Sequence, residues 1–236
     1  FSLVSEELGY YSVAHLSFSI LFFIPSAVNR ICYPTASKYF AKKDFISLDY
    51  ITRRSLRFCN AIIILGAIIP ILFGDFLITF FFGSEFSEAF LSLQILAIAA
   101  VIVGPWRAIG TIFWASDLAT LSVKIVLSST LTNILLCILL VPVYGIEGGA
   151  ISTTISLSLA SFSGIFFINK YLHINLFKEL GKTILMVSFL CIILLSSFGI
   201  LHSLIICILF IPLSIYFILD LEDRVNAYNY VKYIFR

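Results

Sequence analysis

Residues Leu8–Phe40 read LGYYSVAHLSFSILFFIPSAVNRICYPTASKYF. The 22 residues from Leu8 to Asn29 carry no Asp, Glu, Lys or Arg, and about 20 predominantly apolar residues are enough for a helix to cross the hydrocarbon of a bilayer. Membrane strands announce themselves instead as segments of roughly ten residues alternating apolar and polar, and this run does not alternate. Outward from it the pattern repeats. Of 236 residues, 61% are hydrophobic and 12% charged, against about 45–50% and about 25% in an ordinary soluble domain. That composition excludes a soluble globule, and it equally excludes a disordered chain. The fold class is all-α, a polytopic membrane helix bundle. Apolar runs between polar punctuation predict seven spans, at about 9–33, 58–82, 89–114, 122–143, 149–169, 183–199 and 203–220.

The basic residues orient this layout. Arg30, Lys38, Lys42, Lys43, Arg53, Arg54 and Arg57 cluster around the first connection, Lys124 ends the third, Lys170, Lys178 and Lys182 lie in the fifth, and Arg224, Lys232 and Arg236 are in the tail. All fall on one side. The opposite connections carry Glu85, Glu88 and Glu147 and no Lys or Arg. The positive-inside rule then makes the basic side cytoplasmic, with the amino end outside and the carboxyl end inside. The stretch Ser37–Arg57 is the longest connection and reads as a topology anchor against anionic headgroups of membrane lipids. Met186 is the sole methionine, so Phe1 is no translation start and an upstream part of the protein is expected. The net charge of +2 indicates no nucleic-acid partner.

Catalytic signatures are missing: there is no Gly-x-Ser-x-Gly, no His-Glu-x-x-His and no Walker-type Gly-Lys-Ser/Thr. The five cysteines form no Cys-x-x-Cys pair and no metal-ligand spacing, so no cofactor and no metal site is implied. The outward connections are too short to build a water-excluding catalytic site, and the chain does not read as an enzyme.

What the spans do carry is polar patterning. Ser12, His15, Ser19, Phe22, Ser26, Asn29 and Tyr33 recur at spacings of three and four, which gathers them into an arc of about 100° with Arg30 at its edge. Such a stripe faces either a partner helix, its hydroxyls bonding their own helix carbonyls, or a wet cavity. His15 reads as a satisfied polar residue or a proton carrier. In the third span Ala97, Ala100, Gly104, Arg107, Thr111 and Trp114 form a second small and polar face. Arg107 lies about 10 Å inside the basic interface, beyond the mid-span Pro105. Snorkelling along its stem is one explanation and contact with an anion in a cavity the other. Gly148, Ser152, Ser156, Ala160 and Gly164, one small residue every four, make a close-approach face in the fifth span. Gly66, Pro70 and Gly74 read as a kink in the second.

Three stretches carry a resemblance. They are Leu8–Phe40 above, FFGSEFSEAFLSLQILAIA (Phe81–Ala99) and NILLCILLVPVYGIEGGAISTTIS (Asn133–Ser156). The first has a Gly-Tyr start and Pro34 near its basic end. The second has a Phe-Gly turn leading into Ile-Leu-Ala, and the third has Val141, Pro142, Tyr144, Gly145, Ile146, Gly148, Gly149 and Ala150. In order and spacing these resemble the multidrug/oligosaccharidyl-lipid/polysaccharide exporter superfamily, in its polysaccharide flippase branch, over about residues 8–165.

The resemblance implies a two-lobe transporter of 12–14 helices. Within it, residues 1–170 would be helices of the second lobe, 171–220 two trailing transmembrane helices and 221–236 a cytoplasmic tail. It implies movement of a polyprenyl-diphosphate-linked oligosaccharide to the outer leaflet by alternating access, for polysaccharide or O-antigen synthesis, in a cell (inner) membrane. A coupling ion, proton or sodium, and a missing amino-terminal half are implied as partners beside this lipid-linked glycan. An anionic diphosphate needs cationic partners in a wet cavity. The candidate substrate-binding residues are therefore Arg107 and Arg30, with His15, Ser19, Ser26 and Asn29, beside Ser12, lining a path for sugar hydroxyls. The peptidoglycan lipid-precursor flippase and drug or cation antiporters share the pattern. A cation exporter would prefer a buried cavity carboxylate, whereas Asp75, Asp117 and Asp220 sit at or near span ends. From other classes, a membrane-embedded polymerase or a structural subunit compete.

Overall fold

A computed structural model describes residues 5–195 and, beyond them, Phe210, Pro212, Ser214, Tyr216, Ile218 and Leu219. Every regular element among the described residues is helical, as the composition predicts. The order is α1 (Ser5–Ile20), α2 (Phe23–Ala41), α3 (Phe45–Phe82), a 3-10 turn (Ser84–Phe86), α4 (Ala89–Ala115), α5 (Ala119–Leu172) and α6 (Phe177–Leu195). Three helices, α3, α4 and α5, are each long and apolar enough to cross a membrane, and α1 with α2 qualifies as one span bent by 43°. The seventh expected span, 203–220, and the tail 221–236 lie outside the described residues apart from the six just named.

One correction concerns the span read as a single helix over 9–33. It breaks at Leu21–Phe22, and Pro25 explains why. Proline has no N–H to give the carbonyl four residues back, and its ring collides with that carbonyl. The Phe22 N–H closes a tighter turn onto the Ser19 carbonyl at 3.2 Å.

The longest connection, Ser37–Arg57, is helical on both sides of a three-residue turn, 42–44. Asp44 caps α3 by accepting the Ser47 N–H at 3.1 Å, and this bond holds its carboxyl below the usual carboxylate range. With 38 residues, α3 is about 57 Å long, well beyond a hydrocarbon core of about 30 Å.

Within α5 the chain folds back. Gly145 adopts φ 56°, ψ −135°, a conformation open to glycine and few other residues. On either side, the Ser129 hydroxyl donates to the Ser156 carbonyl at 2.7 Å and the Asn133 amide reaches the Ser156 hydroxyl at 3.1 Å. A straight helix would hold the first pair about 40 Å apart. The arms 119–144 and 146–172 are therefore antiparallel neighbours, and the Val141–Ala150 motif is a turn, as its sequence suggests.

Two apolar cores stack along α4. One gathers Val13, Phe18, Ile64, Ile68, Ile71, Leu96 and Ala100. The other, toward the basic end, gathers Leu48, Leu56, Ile109, Phe113, Ile125, Ile165 and Ile174. Between them α4 presents Gly104–Arg107, and α3 presents Asn60. A Cβ on Gly104 would stand 2.7 Å from Asn60 Oδ1, so this glycine is what lets the two helices close.

Candidate functional site

The bend between α1 and α2 and the fold-back of α5 leave a groove flanked by α4. Its volume is about 670 Å³, and Ser12, His15, Ser19, Arg107, Asn133 and Thr153 are among its lining. A second hollow of about 570 Å³ continues along α2, where Ser26 and Arg30 join Ser19, Phe22 and Arg107. Arg107 belongs to both. Its guanidinium carbon lies 4.6 Å from the centre of the Phe22 ring, a cation–π contact of the kind worth about 0.5–2 kcal/mol. Among the described residues no carboxylate pairs with Arg107 or Arg30. Two cations thus face the hollows with no anion among the described residues to neutralise them.

The groove's other wall comes from the α5 hairpin. The Tyr11 and Thr153 hydroxyls bond at 3.1 Å. The Asn133 amide donates to the Thr153 hydroxyl at 3.3 Å and the Ser156 hydroxyl at 3.1 Å, while the Cys137 thiol gives a long, weak contact of 3.7 Å to Asn133 Oδ1. On α1 the His15 ring lies between Tyr11, at 6.0 Å, and Phe18, at 5.6 Å.

The structure brings the sequence candidates to one place with one exception. His15, Ser19, Ser26, Arg30 and Arg107 line the two hollows. Ser12 and Ser19 also return their hydroxyl protons to the Leu8 and His15 carbonyls, at 2.7 and 2.9 Å, while remaining exposed. Asn29 is the exception. Its amide donates to the Arg107 carbonyl at 2.5 Å, tying α2 to α4. The α4 face does not stay together: Ala97, Ala100 and Gly104 are core, while Arg107 and Trp114 are exposed. In the fifth span Gly148, Ser152, Ser156, Ala160 and Gly164 are all buried, and Gly164 takes the Trp106 ring against it.

Sequence reasoning missed Tyr11, Asn133 and Thr153. Asn133 sits at the end of a short polar cluster, after Ser128, Ser129, Thr130 and Thr132, and only the fold-back at Gly145 brings it Thr153 and Ser156. It also missed a buried ionic cluster at the basic end. Arg57, counted above with the loop cations, is 6% exposed and lies 3.7 Å from Glu179 of α6. The other Glu179 oxygen is 3.3 Å from Lys182. One turn inward, Asn60 donates to Thr183 at 2.9 Å.

Residues 2–91 match a family described as polysaccharide biosynthesis protein. This partial match and the relatives that follow agree with the polysaccharide flippase resemblance drawn from the sequence. Over 180 residues, 76% of this chain and 38% of the other, the chain is 22% identical to a Haloferax volcanii protein named "Probable low-salt glycan biosynthesis flippase Agl15". Over 174 residues it is 26% identical to an uncharacterized membrane protein of Methanocaldococcus jannaschii, covering 73% of this chain and 34% of that one. The chain spans little more than a third of the length of these curated relatives.

Proposed function

We propose that this chain is part of a membrane flippase that carries a polyprenyl-diphosphate-linked oligosaccharide from the cytoplasmic to the outer leaflet. The observation that carries the reading is the placement of Arg107 in a hydroxyl-lined groove, and of Arg30 in the hollow that continues it, with no carboxylate among the described lining residues. Holding an arginine at the depth of an apolar span costs at least about 2.5 kcal/mol, and a structural seam gains nothing from that cost. A diphosphate does: its oxygens accept charge-assisted bonds from guanidinium groups in a bidentate fork. The surrounding hydroxyls suit the sugar. The flippase-named relative supports the same assignment, and no groove carboxylate among the described residues favours a drug cation.

Alternating access fits the bend at Leu21–Phe22, where two short helices meet without a continuous hydrogen-bond ladder. In this reading the basic end faces the cytoplasm, an upstream lobe completes the cavity, and the protein transports rather than catalyses. A proton or sodium gradient is the coupling source, and the protein resides in the cell membrane. Polysaccharide or O-antigen assembly is its setting.

Reconstitution of the intact protein with a fluorescent polyprenyl-diphosphate glycan tests this. Transfer between leaflets above the protein-free rate is the expected outcome. Transfer at the protein-free rate, with the protein folded and inserted, overturns it.

A further inference from the structure

The groove has two chemically different ends, and the second is unassigned by the diphosphate. We propose that Tyr11, Asn133 and Thr153 form a sugar-selecting subsite, which reads the first sugar of the lipid-linked glycan while Arg107 holds the diphosphate. This rests on the flippase reading above and adds to it a specificity element on the α5 hairpin.

Counting donors and acceptors carries the inference. The Tyr11 and Thr153 hydroxyls share one hydrogen bond at 3.1 Å, yet they own two protons. The Asn133 amide fills an acceptor position on Thr153 and cannot absorb the extra proton. One hydroxyl proton is therefore left for a ligand. Both amide protons of Asn133 are spent on Thr153 and Ser156. Its carbonyl oxygen receives only the thiol of Cys137, at 3.7 Å, and keeps acceptor capacity. The wall thus offers one donor and one acceptor, held in place by a network anchored to both arms of the hairpin. A sugar hydroxyl, itself a donor and an acceptor, matches that pair. The apolar face of a pyranose ring also suits the Tyr11 and His15 rings, whose centres are 6.0 Å apart. All three residues line the same cavity as Arg107.

The test compares two lipids on the intact protein in proteoliposomes: polyprenyl diphosphate bearing one N-acetylhexosamine, and bare polyprenyl diphosphate. The readout is the ratio of their transfer rates. Asn133→Leu and Thr153→Val are each expected to lower the glycosylated-to-bare ratio about three- to tenfold, the loss of one neutral hydrogen bond. Arg107→Ala is expected to slow both lipids and leave the ratio near the wild-type value. If both hairpin variants keep the wild-type ratio, whether or not the rates themselves fall, the subsite is overturned and the flippase reading stands. If the wild-type protein moves neither lipid, the flippase reading falls and takes the subsite with it.

Discussion

Asn29 donates its side-chain amide to the backbone carbonyl of Arg107, 2.5 Å away. The contact joins α2 to α4 about two turns beyond the break at Leu21–Phe22, so the position of the groove cation depends on a residue of the bent span. Asn29→Ala removes one hydrogen bond between the two helices, a loss of about 1 kcal/mol. A lower unfolding temperature of the detergent-solubilised protein is expected, and an unchanged one would contradict the contact.

The fold-back of α5 depends on Gly145. At φ 56°, ψ −135° an alanine is strained by about 1–3 kcal/mol. Gly145→Ala is expected to lower thermal stability accordingly, while Gly110→Ala, in an open position on α4 where a Cβ meets no neighbour, is expected to leave it near the starting value or raise it. Equal effects of the two would argue against a glycine-dependent turn.

Glu179 serves the buried Arg57 and the half-buried Lys182 at 3.7 and 3.3 Å. Removing one partner of a buried ion pair costs about 3–5 kcal/mol, whereas replacing both with apolar residues is often neutral. Glu179→Ala should therefore destabilise the α3–α6 contact strongly, and Arg57→Met combined with Glu179→Leu should recover most of the loss. Thermal unfolding of the three proteins checks this. A double variant no better than the single would show that the charges act separately.

The polar stripe of α1 and α2 separates groove from core. In a background with the native cysteines replaced, single cysteines at Ser12, Ser19 and Ser26 should react with a water-soluble maleimide in membranes. Cysteines at Ala14 and Ala36, both fully buried, should not. Uniform protection at all five would identify the stripe as a helix seam.

The apolar runs and the Val141–Ala150 turn are legible because each is a local property: hydropathy names a helix, and a glycine among polar and proline signals names a turn. The stripe is legible for the same reason, since three- and four-residue spacing is a property of one helix. What one helix cannot reveal is which of its polar residues meet those of another. Asn133 acquires Thr153 and Ser156 only when the α5 arms close, and Arg57 passes for a loop cation until α6 places Glu179 beside it. The break at Leu21–Phe22 was within reach. Pro25 marks it in the sequence, whereas apolar length, which runs unbroken through the proline, does not.

The groove's claim on an anionic headgroup is tested most directly by the rate at which the intact, reconstituted protein moves a polyprenyl-diphosphate glycan when Arg107 is changed. Loss of a charge-assisted bond of about 1.5–3 kcal/mol predicts a fall of about 10- to 100-fold for Arg107→Ala. Arg107→Lys, which keeps the charge but not the fork, should lie between. Arg30→Ala should add to the loss. Wild-type rates from both Arg107→Ala and Arg30→Ala, at normal expression, would contradict the account.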